Sequence, residues 1–342
     1  MNSKRKHLFL IFVISIFFLG CLNKQESTND KSFEEDTQHK KSLPIMYTDK
    51  LTGVNINWSF LPKLDQGILD ATASLHPKMI RYPGGTISKM WDWESGTSTK
   101  GNREAHTLDD LLRLQKATNA KVIFVLNTIQ KTLENQLNLL RTARNMGIKI
   151  EYIEMGNEHY LGKFQYDLEA FPTGADYAKF VNRWAKAIRK EFPDAKIGIS
   201  MFSRVSRDER KSAWNELILK NISRENFDAY VYHTYINAQN VGELTAKTVE
   251  EIISERTDAY ESVKIADPSK EVWITEYGVR TDTIEKTLLL TKALADYIES
   301  HADIALPQVL YTKSDKSFFS MLKAPNAHSL SALGEMFANR WR

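Results

Sequence analysis

The sequence predicts an α/β protein in which eight parallel strands and eight helices form a single closed barrel. From about residue 52 to residue 341, short apolar β-rich runs alternate eight times with amphipathic helical runs. Parallel strands need crossover connections, so this alternation indicates a parallel sheet covered by helices. Eight such units in fewer than 300 residues favour a (β/α)8 (TIM) barrel. The main rival, a doubly wound open sheet, usually has a Gly-rich phosphate turn after its first strand, and this sequence has none there.

The predicted strands are short runs rich in β-branched, aromatic and other apolar residues. They are Gly53–Phe60, Met79–Tyr82, Lys121–Asn127, Ile150–Met155, Lys196–Met201, Ala229–His233, Glu271–Thr275 and Gln308–Tyr311. The predicted helices have apolar residues at helical spacing and polar residues on the opposite face. They are Lys63–Ser74, Leu108–Ala117, Leu133–Met146, Ala175–Phe192, Lys211–Leu219, Val249–Val263, Glu285–Ser300 and Leu330–Trp341.

The N-terminal segment is distinct from the predicted barrel. A basic start precedes the apolar stretch Leu8–Leu19, which ends at Gly20-Cys21, and this order is typical of a secretory signal. The run from Phe18 to Cys21 resembles the lipobox of bacterial lipoproteins, which implies acylation of Cys21 after cleavage. The alternative is an ordinary signal peptide or membrane anchor that contains a cysteine.

Three segments follow from this pattern. Residues 1–21 are the predicted signal peptide, and 22–44 are a polar stretch that cannot support a core and is predicted to be a flexible tether. Residues 45–342 are the predicted barrel domain. The lipobox resemblance implies a protein of the bacterial cell envelope, held by lipid at the outer membrane or cell surface, with the periplasm as the alternative.

The composition argues against several classes of function. The 342 residues carry 46 basic and 43 acidic side chains without a basic stripe, so nucleic-acid binding has no electrostatic support. Cys21 is the only cysteine, so a mature lipoprotein would have no thiol for catalysis, a disulfide or a metal. The histidines show no pair at ligand spacing, and no Gly-x-Ser-x-Gly or nucleotide motif occurs. We therefore expect neither a metal nor a cofactor.

Two glutamates occupy similar positions, each where a predicted buried strand gives way to a loop. Glu158 follows the fourth predicted strand, and Glu276 follows the seventh, 118 positions later. Three βα units of about 39 residues would separate them, which fits a barrel of ordinary size. Both would then lie on the face at the C-terminal strand ends, and a pair of carboxylates there is what cleavage of a glycosidic bond requires.

Three motifs carry a family resemblance. Gly156-Asn157-Glu158 and Glu276, at those strand ends, resemble the catalytic positions of the clan A retaining glycoside hydrolases. The segment from Ile80 to Thr86, which contains Arg-Tyr-Pro-Gly-Gly, is similar to one in the family 51 α-L-arabinofuranosidases and in the family 79 β-glucuronidases and heparanases. The resemblance spans the whole predicted barrel.

The resemblance implies that Glu158 is the acid/base and Glu276 the nucleophile. An acid must be protonated at working pH, so we expect a partly dry site to raise the pKa of Glu158. Arg81 is the expected cation beside Glu276, and Asn157 is expected to donate to the sugar 2-hydroxyl. The alternatives are surface or helix-start glutamates and a structural ion pair at Arg81.

Further substrate-binding residues are predicted with less support from the residues alone. His233 and Tyr235 lie two apart on the sixth strand, so both face the same side, and the family has a histidine and often an aromatic hydroxyl near the nucleophile. A buried structural histidine is the alternative. Trp91 and Trp93 would supply an apolar platform for a sugar or would simply pack in the core. Asn127, at the end of the third strand, is a further candidate for sugar binding.

The sequence also departs from the family pattern. Family 51 and 79 enzymes usually carry a β-sandwich beside the barrel, and we expect none in this sequence. The run Val309-Leu310-Tyr311-Thr312-Lys313-Ser314 lacks the tryptophan that many clan members have on the eighth strand. Arabinose specificity therefore does not follow from the motifs.

The resulting hypothesis is a retaining glycoside hydrolase that acts on a plant, algal or host polysaccharide or oligosaccharide. Its expected partners are this carbohydrate and, through the lipid, a membrane. The oligomeric state is left open. The alternative from another class is a glycan-binding surface lipoprotein on a barrel that has lost activity. A barrel lyase or isomerase is a weaker option, because it would normally need a metal cluster or a lysine base beside the carboxylates.

Overall fold

A computed structural model describes most of the predicted barrel domain. The described residues are 50–101, 104–204, 206–255, 267–312 and 320–342. The predicted signal peptide, the predicted acylation site Cys21 and the predicted tether lie outside them. No helix among the described residues is long and apolar enough to cross a membrane.

Eight parallel strands close into a barrel, which confirms the predicted fold class. They are β1 (Leu51–Asn55), β2 (Met79–Tyr82), β3 (Lys121–Val125), β4 (Tyr152–Glu154), β5 (Lys196–Ser200), β6 (Ala229–Asn237), β7 (Glu271–Arg280) and β8 (Ile304–Pro307). Each strand pairs with its neighbours in the chain, and β1 pairs with β8 to close the ring. All C-terminal strand ends therefore meet at one rim.

The helices follow the strands as the alternation predicts. They are α1 (Gln66–Ala73), α2 (Leu108–Thr118), α3 (Leu133–Asn145), α4 (Gln165–Ala170), α5 (Gly174–Glu191), α6 (Glu209–Asn221), α7 (246–255), α8 (Ile284–His301) and α9 (Ala332–Trp341). Part of the predicted helix Val249–Val263 lies outside the described residues. The short helix α4 and a hairpin of Trp91–Asp92 with Thr97–Ser98 were not predicted.

The prediction for the eighth strand was wrong. The chain enters the barrel at Ile304–Pro307, directly after α8, and not at Gln308–Tyr311. The run of four apolar residues is short and ends in proline, so it lacks the length and β-branched content by which strands are recognised. Gln308 follows the strand, forms an isolated bridge with Asn55, and donates its backbone N–H to the Tyr277 carbonyl at 2.8 Å. Its side chain therefore lies just past the strand end, at the rim.

Other strand boundaries also differ from the predictions. β1 ends at Asn55 and a short 3-10 helix, Trp58–Phe60, replaces the rest of the predicted strand. β6 and β7 both run beyond their predicted ends and pair along their full length. Their register shifts between Tyr232 and His233, so that His233 lies opposite Glu276. Such a bulge re-aims side chains, and here it places these two on facing positions.

The barrel interior is closed below the rim by apolar side chains. Trp273 of β7 is fully buried and packs with residues from several other strands. Gly198 of β5 makes room for this indole, since a Cβ there would lie 2.7 Å from Trp273 Cε3 and 2.6 Å from Val231 Cγ2. The centre is thus a packed core rather than a pore, and chemistry is confined to the rim.

Candidate active site

The rim brings together six of the predicted site residues. Arg81 comes from β2, Asn157 and Glu158 from the turn after β4, His233 and Tyr235 from β6, and Glu276 from β7. Hydrogen bonds join four of them around Arg81 and, separately, His233 to Glu158. The two groups meet where His233 Nδ1 lies 3.7 Å from Glu276 Oε2. The sequence prediction that these elements converge is therefore met by their contacts, while the role of each residue stays a prediction.

Arg81 is the centre of this network and is fully buried. Its Nη1 lies 2.6 Å from Glu276 Oε1, and its Nη2 lies 2.6 Å from Glu154 Oε2. Nη2 also donates to Asn157 Oδ1 at 2.8 Å. Burial alone would lower the pKa of Arg81, but the charges of the two carboxylates outweigh it and raise this pKa. The guanidinium is therefore a permanent cation that joins β2, β4 and β7.

Glu276 has a donor on each carboxylate oxygen. Oε1 pairs with Arg81, and Oε2 accepts from the Tyr235 hydroxyl at 2.5 Å. The backbone of Gly85 also lies close against this carboxylate, since a Cβ on Gly85 would be 2.0 Å from Glu276 Oε1. The carboxylate is thus held in one orientation, with a glycine of the Pro-Gly-Gly turn against it.

Tyr235 also contacts Gln308, a residue that the sequence analysis placed inside a strand. The hydroxyl lies 2.5 Å from Gln308 Oε1 as well as 2.5 Å from Glu276 Oε2. A phenol has one proton and cannot donate to two oxygens. Rotating the Gln308 carboxamide lets its NH2 donate to the hydroxyl, which then donates to Glu276. Gln308 thereby directs the Tyr235 proton to the carboxylate.

Glu158 is carried by a tight turn. Its backbone is left-handed, with φ 47° and ψ 42°, and Gly156 two residues earlier has φ 84°. This turn reverses the chain after β4 and directs the carboxylate toward β6, where 14% of the side chain is exposed. Oε1 accepts from His233 Nδ1 at 3.0 Å and from the Tyr160 hydroxyl at 3.2 Å. Strained backbone of this kind persists where surrounding contacts hold it.

The electrostatics of Glu158 differ from the sequence expectation. Burial alone would raise its pKa, but the hydrogen bond and charge of His233 outweigh burial and lower it. His233 shows the reverse: burial alone would lower its pKa, but the charges of Glu276 and Glu158 raise it. This direction is opposite to the expected rise, because the sequence analysis placed His233 near Glu276 and not in direct contact with Glu158. The two groups share one proton and titrate as a pair.

The separation of the two glutamates is short. One carboxylate oxygen of each, together with a ring nitrogen of His233, lie within 4.8 Å of one another. Such a trio offers possible metal donors, which the residue spacing alone did not indicate. However, Arg81 already pairs with Glu276, and His233 donates to Glu158. A cation here would have to compete with a buried guanidinium, so the donor set fits proton transfer better than a metal.

A second buried cluster supports the turn that carries Glu158. Lys89 pairs with Asp167 at 2.8 Å, and its Nζ approaches the Glu158 carbonyl at 3.5 Å. Asp167 also binds His159, whose other ring nitrogen contacts Thr128. Burial lowers the pKa of His159 to about 4, so this ring is neutral at pH 7. Neither Lys89, in a 3-10 helix, nor Asp167, in α4, was foreseen, because a single charged residue outside any motif carries no sequence signal.

The remaining predicted residues make packing contacts. Trp91 is buried, and its indole donates to the Tyr82 hydroxyl at 2.9 Å. Trp93 is half-buried and donates to Asn135 at 3.2 Å. Asn127 is buried and donates to the Trp91 carbonyl, while its oxygen accepts from two loop N–H groups. These contacts agree with the packing alternative for Trp91, and sugar binding by any of the three stays a prediction.

The sequence analysis missed Glu154, the last residue of β4. It is 1% exposed and binds Arg81 through two nitrogens. A signal was present, since an acidic residue inside an otherwise apolar run requires a buried partner. Alternation along β4 would have placed Glu154 on the barrel side with Tyr152.

We expect Arg81→Met to destabilise the protein strongly. The substitution leaves Glu154 and Glu276 buried without their cation, which costs about 3–5 kcal/mol when one partner of a buried pair is lost. Urea denaturation measures this change, and a second substitution, Glu154→Gln, should restore part of it. Arg113→Met, at an exposed pair with Asp110, is the matched control and should have a much smaller effect. Equal effects of the two arginine substitutions would contradict the central role of Arg81.

Comparisons with known proteins agree with this architecture. No protein-family model and no curated protein matches the sequence. Among solved structures, the chain is similar to an α-L-arabinofuranosidase from Thermotoga maritima, with 14% identity, a TM-score of 0.61, and coverage of 85% of this chain and 70% of that one. It is also similar to a family 51 α-L-arabinofuranosidase from Bifidobacterium longum, with 14% identity, a TM-score of 0.60, and coverage of 86% of this chain and 72% of that one.

A third similar structure is an FMN-binding β-glucuronidase from Faecalibacterium prausnitzii, with 12% identity and a TM-score of 0.56. The match covers 85% of this chain and 44% of that one. At these identities the likeness concerns the fold. The chain thus has the (β/α)8 barrel fold of these glycoside hydrolases.

Proposed function

We propose that this protein is a retaining glycoside hydrolase with Glu158 as acid/base and Glu276 as nucleophile. The observation that carries the proposal is the approach of their carboxylate oxygens to within 4.8 Å across one rim. Retaining enzymes place these carboxyl groups about 5–5.5 Å apart, whereas inverting enzymes need roughly 6.5–9.5 Å to admit a water. The 4.8 Å limit is between single oxygens rather than between carboxyl centres, and it agrees better with the shorter, retaining separation, which supports direct attack by Glu276 on the sugar.

The contacts of Glu276 suit a nucleophile. Arg81 and Tyr235 bind its two oxygens and hold the carboxylate toward the space shared with Glu158. Asn157 is buried, its oxygen is bound to Arg81, and its Nδ2 has no partner among the described residues. An amide fixed in this way presents N–H groups to a ligand. It would donate to the sugar hydroxyl next to the reacting carbon, a bond that strengthens in the transition state.

The proton for the departing group would come from the Glu158–His233 pair. In the free protein the proton lies mainly on His233, which donates it to Glu158 Oε1 at 3.0 Å. In the first step the one shared proton passes from His233 through Glu158 to the glycosidic oxygen, as the bond of that oxygen to the sugar breaks and Glu276 bonds to the sugar. Glu158 is then ionised and His233 neutral. In the second step Glu158 accepts a proton from the water that releases the sugar.

The substrate class is proposed from the structural neighbours. Arabinofuranosides and glucuronides are the first candidates, because the similar barrels include α-L-arabinofuranosidases and a β-glucuronidase. The natural substrate would be a plant, algal or host polysaccharide or oligosaccharide that contains such a sugar. Gln308 lies just past β8, and its side chain contacts the Tyr235 hydroxyl beside Glu276.

We further propose that the protein is lipid-anchored in a bacterial cell envelope through Cys21. The basic start, the apolar stretch and the lipobox-like run up to Cys21 support this. Mass spectrometry of the mature protein from a bacterial membrane fraction should find a diacylglyceryl group on Cys21. A mature N-terminus without lipid, in a host that processes lipoproteins, would contradict the anchor.

A second function, glycan binding without turnover, is favoured by one observation. The pKa of Glu158 is lowered by His233, which opposes a role as proton donor when Glu158 is considered alone. The fixed orientation of the Glu276 carboxylate favours the hydrolase, since glycan binding alone does not require a carboxylate held in this way. Activity measurements separate the two functions.

The first test is a screen of 4-nitrophenyl α-L-arabinofuranoside, β-D-glucuronide and β-D-glucoside. We expect wild type to hydrolyse at least one of them, and Glu276→Ala to lose about a thousandfold or more in kcat, because the nucleophile is removed. Glu151→Ala, at the opposite end of β4, is the matched control and should keep full activity. Measurable glycan binding by wild type without turnover on any sugar would favour the binding protein.

The second test concerns the pH profile of kcat/KM. His233 has a raised pKa, so in wild type the pair keeps its proton, and its activity, up to a pH above the ordinary histidine range. His233→Asn retains a hydrogen-bond donor but cannot hold that proton, and the alkaline limb should move to lower pH by about one unit or more. A variant whose alkaline limb coincides with that of wild type would contradict the shared proton.

A further inference from the structure

A cavity of about 460 Å³ opens beside Glu158, on the side of the loops that follow β4, β5 and β6. Its wall includes Glu158, Tyr160, Phe202, Arg204, Lys211 and His233. Neither Arg81 nor Glu276 lines it, although Tyr235 does. The volume lies within the range of small-molecule sites, roughly 300–1,000 Å³. The cavity therefore adjoins the acid/base without enclosing the nucleophile.

The position of the cavity indicates which part of the substrate it would hold. This step rests on the proposed function. The sugar under attack must touch Glu276 and Asn157, and the acid delivers its proton to the oxygen between that sugar and the departing group. The departing group therefore continues past Glu158, into the space that Glu158 and His233 border.

Two cations face this space with few competing partners. Arg204 is held by one hydrogen bond from its Nη2 to the Tyr235 carbonyl at 2.9 Å, and no carboxylate among the described residues lies within 4.0 Å of it. Lys211, on α6, has Asp208 as its ion-pair partner at 3.8 Å, too long for a hydrogen bond. The charge of Glu158 is already matched by His233. The charge of Arg204 is therefore the one in this wall that no carboxylate among the described residues matches.

Part of the wall is aromatic, and of its two rings Tyr160 is buried and Phe202 is half-buried. The rings of Tyr160 and Phe202 pack with centroids 5.1 Å apart. Aromatic faces bind the apolar face of a sugar ring, while cations at the rim bind an attached anion. A neutral leaving group would use only the first of these features, and an acidic sugar would use both.

We propose that this cavity is the leaving-group subsite of the enzyme and that it prefers an acidic sugar, whose carboxylate or sulfate is bound by Arg204 and Lys211. The substrate class is then an acidic polysaccharide or oligosaccharide in which the cleaved bond precedes a charged residue. Neither cation takes part in the bond-breaking step. Both act on specificity.

The kinetic test compares two aryl glycosides of the sugar that the screen identifies. One carries 4-nitrophenol and the other 3-carboxy-4-nitrophenol as the leaving group. The measured quantity is kcat/KM for the carboxylated substrate divided by kcat/KM for the uncharged one. We expect Arg204→Gln and Lys211→Gln each to lower the ratio about tenfold relative to wild type, because a charge-assisted contact is lost. Comparing ratios between variants cancels the different reactivities of the phenols. Lys220→Gln, on the same helix and paired with Glu216, is the control and should leave the ratio unchanged.

A binding test does not depend on turnover. Calorimetric titration of wild type with oligogalacturonate, sulfated carrageenan oligosaccharide and cellotetraose shows whether the preference is for carboxylate, for sulfate or for neither. We expect one acidic ligand to bind at least tenfold more tightly than cellotetraose, and the Arg204→Gln/Lys211→Gln double variant to lose that preference.

Equal binding of acidic and neutral ligands by wild type would overturn the acidic subsite, as would an unchanged ratio in both single variants. Absence of hydrolysis on every aryl glycoside would refute the proposed activity alone. An acid preference that the double variant abolishes would still support the cation pair as a glycan-binding site in that case.

Discussion

The ion pairs of Arg81 are the interaction on which the site depends. A buried guanidinium would be unstable without partners, and two carboxylates from different strands supply them. Because Glu154 and Glu276 come from β4 and β7, the arginine on β2 connects three points of the barrel ring. The same side chain also orients Asn157, the residue before Glu158. One cation therefore positions both sides of the proposed catalytic centre.

The two glutamates are also coupled electrostatically through His233. Its Nδ1 lies 3.0 Å from Glu158 and 3.7 Å from Glu276, so its charge responds to both. In the proposed mechanism Glu276 loses its negative charge when it bonds to a sugar, and this loss lowers the pKa of His233. A neutral His233 no longer stabilises the Glu158 carboxylate, so Glu158 would be a stronger base in the second step. The proposed change of role of Glu158 would thus depend on the state of Glu276.

Much of the fold followed from sequence because strand and helix periods alternate clearly and because eight units must close somewhere. The positions of Glu158 and Glu276 followed from that alternation as well. Three features did not follow. The strand β8 is short and ends in proline, so its sequence does not identify it. The register shift between Tyr232 and His233 depends on pairing with β7, and the lowered pKa of Glu158 depends on its contact with His233, and contacts between distant strands leave no local sequence signal.

The most direct test of the account is to trap the covalent intermediate. A 2-deoxy-2-fluoro glycoside of the sugar that wild type hydrolyses, with a reactive leaving group, should form a glycosyl-enzyme that breaks down slowly. Peptide mass spectrometry should then find one added fluoroglycosyl group on the peptide containing Glu276, and specifically on that side chain. Attachment to any other residue, Glu158 included, would contradict the account, as would turnover that yields an inverted sugar without an adduct.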